Sequence, residues 1–200
     1  MAKIKLTKNE LKKQKDSLKM YQRYLPTLML KKKQLQSEIR ITEMRIKELR
    51  AEKELLDESF KVWIGVFGEK GYFTADLLKI ISLKTSEGNI AGVAIPIFES
   101  ADFEIAAYDL VNTPLWLDTA VECMKKALLL ELETEIVEEQ RKRLDRELRT
   151  TTQRVNLFEK VKIPETRSHI KKIQVYLGDQ QTAAVVRGKI AKSGTAKAAR

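Results

Sequence analysis

The chain has 200 residues, of which 38 are Lys or Arg and 28 are Asp or Glu, for a formal net charge of +10. Charged residues make up 33% and aromatics 6%, with 8 Gly and 4 Pro, values that suit long charged helices rather than a sandwich, a barrel or an aromatic-rich enzyme core. One Cys and one His exclude an internal disulfide framework and a His/Cys zinc site. At this length one domain is favoured over two. The N-terminus carries no signal-like apolar stretch, and no apolar run approaches the roughly 18–20 residues of a membrane span. A soluble, intracellular protein is expected.

Charge is unevenly spread. Residues 1–56 carry 16 basic and 7 acidic side chains, residues 57–115 carry 4 and 9, residues 116–177 carry 13 and 11, and residues 178–200 carry 5 and 1. Glycine and strand-forming residues concentrate in the acidic middle. The division expected is a helical arm over 1–59, a small α/β insert over 60–113, a second helical arm over 114–192 and a basic flexible tail over 193–200.

The first arm opens with Thr7-Lys8-Asn9-Glu10, a capping-box pattern. A heptad follows without a slip. One seam is Leu11, Leu18, Leu25, Lys32, Ile39, Ile46 and Lys53, and the other is Gln14, Tyr21, Leu28, Leu35, Thr42, Leu49 and Leu56. Apolar residues at this spacing, flanked by charges over about seven heptads, specify a coiled coil. From Thr7 to Ser59 such a helix is about 80 Å long at 1.5 Å per residue, so an elongated fold is expected. The register holds across Pro26, which predicts one helix bent there rather than two.

The insert reads as a hairpin over about 77–98, with a four-residue turn at Ser86–Asn89 containing Gly88-Asn89. Pro96 cannot donate to a ladder and belongs at an edge or a strand end. A lone hairpin needs cover, expected from the helix ends at Phe60–Ile64 and Leu115–Leu117. Its acidic composition and open edge make it either a docking surface or a cap on the coiled coil.

Thr113-Pro114 begins the second arm as N-cap and first helical residue. Its seams are Trp116, Cys123, Leu130, Val137, Leu144, Thr151, Phe158 and Ala120, Ala127, Thr134, Arg141, Leu148, Val155. A second phase, Ile163, Thr166, Ile170, Ile173 and Leu177, takes over near Pro164, where a kink is expected. From Pro114 to Leu177 the arm is about 95 Å long. Two arms of similar length around an insert are expected to pair antiparallel. The fold class expected is mainly α: a long antiparallel two-helix coiled coil with a small β-hairpin-containing insert. Gly178 suits a helix end, although helical composition continues to Lys192.

No catalytic, cofactor-binding or metal-binding residues are assigned. Gly65–Gly71 matches neither a phosphate-binding loop nor a dinucleotide turn and reads as a connection. His169, near Arg167 and Lys171, reads as a surface or seam histidine, and Cys123 as a small seam hydrophobe. The run Glu131, Glu133, Glu135, Glu138 and Glu139 reads as a solvated helix face. Lys31–Lys33 and the basic tail suit phosphate contacts, yet no aromatic platform accompanies them, so nucleic acid is not expected as a partner. The chain is not expected to be an enzyme by itself, and no cofactor is expected.

The order of parts resembles the D-subunit family of the V-type (A/V-type) ATPases, most closely its bacterial members. The resemblance is carried by Tyr24–Gln36 (YLPTLMLKKKQLQ), Asn89–Phe98 (NIAGVAIPIF), Thr113–Asp118 (TPLWLD), Thr152–Pro164 (TQRVNLFEKVKIP) and Arg187–Lys192 (RGKIAK). The block R-V-N-x-x-E-x-V-x-I-P, with Arg154, Asn156 and Glu159, is its most specific piece. The resemblance implies a central-stalk rotor shaft, without catalytic residues of its own. It implies partners in the A and B subunits of the catalytic head, the F subunit of the stalk and a socket subunit on the membrane rotor. It also implies a cytoplasmic place, peripheral to the membrane, and a role coupling ATP hydrolysis or synthesis to proton or sodium transport. A rival from the residues alone is a prefoldin-like coiled-coil chaperone or a generic scaffold. A chaperone would carry apolar arm tips, and the tail here is rich in Lys, Ala, Gly and Ser.

Overall fold

The structure, a computed structural model, describes residues 4–63, 77–108, 114 and 116–198. It is mainly helical. In chain order come α1 (Lys8–Trp63), β1 (Leu78–Ile90), β2 (Val93–Ile105), α2 (Trp116–Asn156), a π-helical turn (Leu157–Lys162) and α3 (Ile163–Ala198). Two compact units form: residues 1–31 with 150–200, and residues 32–149.

The start of α1 follows from its cap. Thr7 Oγ1 accepts the Glu10 N–H at 3.3 Å and the Thr7 carbonyl accepts that of Leu11. Only half of the capping box forms, because the Glu10 carboxylate takes the Gln14 side-chain amide at 2.9 Å. The helix continues unbroken through Pro26. Every seam position from Leu11 to Leu56 is buried or half-buried, and its neighbours are mostly exposed.

In the unit of residues 32–149, the lower part of α1 pairs antiparallel with α2. Ile46 and Leu49 pack with Val137 and Leu130, while Leu35 and Ile39 pack with Leu144 and Leu148. Each fully buried aliphatic side chain contributes about 1.5–3 kcal/mol. The seam threonine Thr42 donates to the Glu38 carbonyl one turn back at 2.8 Å, so it is buried without an orphaned hydroxyl.

The hairpin is longer than expected and turns elsewhere. β1 and β2 pair antiparallel from Leu78↔Ile105 to Ile90↔Val93, with bulges between Ile80 and Ser82 and between Lys84 and Thr85. The turn is the two residues Ala91-Gly92, at φ of 51° and 78°, with the Asn89 side chain accepting the Gly92 N–H at 2.9 Å. Positive φ at both central residues matches the right-handed twist of the strands. Gly88 and Asn89 therefore lie in β1, Gly88 opposite Ile95. Gly88 is small there for a packing reason, since a Cβ would come within 2.5 Å of the Ile97 side chain.

Cover for the hairpin comes from two places. At its base Leu77 joins Leu117 and Val121, with Trp116 and Tyr108 against them, as the sequence suggests for the start of the second arm. At its tip Ile90, Ala91, Val93 and Ile95 pack on Leu35, Ile39, Leu144 and Leu148, far along both helices. The outer edge of β2 is also taken: the Pro96 carbonyl accepts from Gln140 at 2.6 Å and the Ala94 carbonyl from Arg143 at 3.4 Å. The backbone polar groups of Pro96 thus face outward, where its missing N–H disrupts no ladder bond.

In the unit of residues 1–31 with 150–200, the Tyr21 and Phe158 rings meet at 5.1 Å between centroids. The seam of α2 projects to positions 162 and 165, whereas the buried residues are Ile163 and Thr166, one position later. A π turn holds one residue more than an α turn and takes up the difference. Its Ile163 N–H reaches the Phe158 carbonyl, five residues back. The change of phase is therefore carried by the turn preceding Pro164, not by a kink at the proline. Pro164 has no N–H to close an α-type bond to Lys160, so the following helix starts cleanly from Ile163. α3 then passes through Gly178 and Lys192 to Ala198, so Gly178 ends nothing. The Gly178 carbonyl accepts the Thr182 hydroxyl within the continuing helix.

Candidate partner-binding surfaces

The chemistry-bearing residues do not converge. His169 Nε2 stands 3.9 Å from Glu165 Oε1 on its own helix, and Cys123 is a half-buried seam residue of α2. Among the described residues no group of three or more His, Cys, Asp or Glu side chains could hold a metal ion. Gly65–Gly71 and Thr113 lie outside the described residues. Among the described residues no helix is long and apolar enough to cross a membrane.

The glutamate run is not simply a solvated face. Glu133 bonds Arg45 at 2.8 Å, Glu138 bonds Arg50 at 2.6 Å and Glu131 bonds Lys53 at 2.8 Å, all across the helix pair. Arg141, a seam position, stands 3.9 Å from Glu43. Hydrogen bonding to Glu133 holds the Arg45 guanidinium above its ordinary pKa. Exposed pairs of this kind contribute about 0–1 kcal/mol each, and their larger effect is on register and orientation. The signal was present in the sequence as opposite charges beside the two seams, but the pairing register was needed to read it. A shallow groove of about 340 Å³ runs between Glu43, Ile46, Lys47, Arg50, Glu138 and Arg141. The Arg50–Glu138 and Arg141–Glu43 pairs form part of its walls.

The hairpin adds a second electrostatic cluster. Asp102 accepts from Ser82 at 2.8 Å and pairs with Lys84 at 2.9 Å. The Lys84 contact, then the Ser82 hydroxyl, push the Asp102 carboxyl below the usual range. Along the hairpin Ile80, Ile81 and Leu83 of β1 and Ile97 of β2 are exposed. The edge of β2 near the tip is occupied by α2, so among the described residues the edge left open there is that of β1.

Charge divides with the units. Residues 1–31 and 150–200 together hold 20 basic and 5 acidic side chains, a net +15, whereas residues 32–149 hold 18 and 23, a net −5. The first unit also exposes apolar side chains, among them Met20, Tyr24, Leu157 and Val161.

Comparison with known proteins gives one answer throughout. The ATP synthase D-subunit family matches residues 10–193. The V-type ATP synthase D subunit of Borreliella burgdorferi is 52% identical over 197 residues, covering 98% of this chain and 97% of the relative. The D subunit of Chlamydia pneumoniae is 36% identical, over 94% of this chain and 91% of the relative. That of Chlamydia muridarum is 35% identical over 94% of each. With the match running through both helices and the hairpin between them, the chain belongs to the D-subunit family of V-type ATP synthases.

Proposed function

We propose that this chain is the central rotor shaft of a V-type ATP synthase, a non-catalytic component that couples ATP turnover in a head of alternating A and B subunits to ion movement in the membrane rotor. The observation that carries this reading is the extent of the family match, which takes in residues 10–193. The relatives' shared name therefore bears on the helix pair and the hairpin together. The chain sits at the cytoplasmic side of the membrane, held there by the complex.

A two-helix shaft has no threefold symmetry. Three catalytic interfaces arranged around it meet three different surfaces, and each surface stabilises a different open or closed state through differential contact. Rotation permutes those states. The division of charge supports a polarity: the +15 unit, with both chain termini, enters the head, and the acidic unit with the hairpin meets the F subunit of the stalk and the socket of the membrane rotor.

Native mass spectrometry of the purified chain with its own A and B subunits tests this. One copy bound per A3B3 hexamer, with altered ATPase activity, is the expected result. A stable homodimer that ignores the hexamer overturns the reading and favours a coiled-coil scaffold or chaperone.

A further inference from the structure

In the unit of residues 1–31 with 150–200, the contact between the Tyr21 and Phe158 rings fixes which parts of the two arms stand at one level. Each helix carries an irregular backbone bond there. In α1 the residue after Tyr21 is Gln22, whose carbonyl would take the N–H of residue 26 in an α-helix. Residue 26 is Pro26 and has none to give. In the facing helix the Phe158 carbonyl accepts the Ile163 N–H across the π turn, instead of the Lys162 N–H that an α turn would supply. Pro164, just past the turn, removes a further donor for the carbonyls of Glu159 and Lys160. The two helices run in opposite directions, so the irregular stretches, 22–26 and 158–164, extend to either side of the ring pair.

Packing is thin at the same level. From Lys8 to Gln34 no residue of α1 is buried, and in the facing helix none is buried from Asn156 to Lys162. Buried side chains resume at Val155 on one side and at Ile163 on the other. The Thr27 hydroxyl donates to the Tyr24 carbonyl at 2.8 Å and the Thr166 hydroxyl to the Lys162 carbonyl at 2.6 Å, back-bonds of a kind that bend helices. Helices bend at prolines and π turns, and local opening is easiest where backbone bonds are missing and few apolar side chains are buried. A single defect facing an intact helix is braced by it. Here both helices carry one at the same level, and neither braces the other. What joins them is the ring pair, with centroids 5.1 Å apart and planes tilted by 48°. Aromatic rings attract over about 4.5–7 Å, so this contact tolerates a change of angle.

We propose that the level of the Tyr21–Phe158 pair is a joint in the helix pair: residues 17–26 and 156–164 open together there, and the pair bends about the two rings. The joint is a property of the chain alone and stands apart from the central-shaft reading. Its opening is a local, reversible loss of backbone bonds of the kind that amide hydrogen exchange reads.

Hydrogen exchange of the full chain, followed peptide by peptide by mass spectrometry, is the test. Segments 17–26 and 156–164 are expected to exchange about ten-fold faster than 166–173, which carries buried seam residues of the same unit. Pro26→Ala supplies an N–H for the Gln22 carbonyl. It is expected to slow exchange about five-fold, the equivalent of one net hydrogen bond, in α1 and by a similar factor in 156–164 of the facing helix. Pro164→Ala is expected to do the same from the other side. Spin labels on Lys12→Cys and Leu30→Cys, five turns apart on one side of α1 in a Cys123→Ser background, read the bend. Their distance distribution is expected to narrow when Pro26→Ala is added. Equal exchange at the joint and in 166–173 overturns the proposal. Slowing confined to the substituted helix in both variants also overturns it, because the two defects would then be independent. So does uniform slowing that includes 166–173, which is general stabilisation, and so does a label distribution of unchanged width.

Discussion

Ala91 holds a backbone conformation that an L-residue with a Cβ enters at a cost, φ of 51° in the first central position of the hairpin turn. Asn tolerates that region, and Asn-Gly is the preferred pair for this turn. Ala91→Asn is therefore expected to stabilise the chain by about 0.5–1 kcal/mol, read as a raised midpoint in urea. A lowered midpoint would mean that Ala91 contributes more through its packing on the helices than it loses in the turn. Leu144 is the opposite case. It is fully buried and touches α1 and the hairpin tip at once. Leu144→Ala is expected to cost about 2–5 kcal/mol, because neither neighbour can collapse into the space without breaking its other contacts. A thermal melt measures this, and a change below about 1 kcal/mol would show that the hairpin tip lifts away from the helices readily. Residues such as Leu35, Leu49 and Leu144 were legible as core from spacing alone. Ala91 was not, because nothing in its composition marks a left-handed residue, whereas Gly88-Asn89 carries the usual turn signature and sits in a strand.

At the scale of elements, the helices were readable because their signal is local and repeated. A seam renewed every seven residues survives Pro26, Lys32 and Thr42, and all of its positions are buried or half-buried. The one-residue change of phase after Phe158 was equally visible, but its form was not. The sequence shows only that the seam slips by one residue near a proline, and it does not say that the backbone takes up the slip in a π turn. Helix ends were less legible. Gly178 has the composition of a stop, yet the Ala- and Val-bearing stretch after it carries the helix onward to Ala198. The candidate surfaces were the least readable. Glu131, Glu133 and Glu138 acquire partners only once α1 and α2 are set in register, 78 to 88 residues apart in the chain.

For the whole molecule, the separation of +15 from −5 between the two units predicts how binding should respond to salt. Affinity of the chain for the catalytic head is expected to fall as ionic strength rises from about 0.05 to 0.5 M, as the screening length shortens from more than 10 Å to a few Å. A titration at several salt concentrations reads the slope, and a flat response would remove the basic unit from the head contact. The antiparallel pairing also sets a demand during synthesis. Arg45 and Arg50 meet partners that lie 88 residues later in the chain. At about 5–20 residues per second, that delay on the ribosome is roughly 4–18 s. For that interval α1 is a nascent amphipathic helix whose seam lacks its partner helix, while the hairpin, with its sequence-local pairing, can close without waiting for all of α2. The hairpin tip then offers Ile90, Val93 and Ile95 to Leu35 and Ile39 before Leu144 joins them. In the newborn chain, the strand pair is the first cover for a seam that α2 later completes.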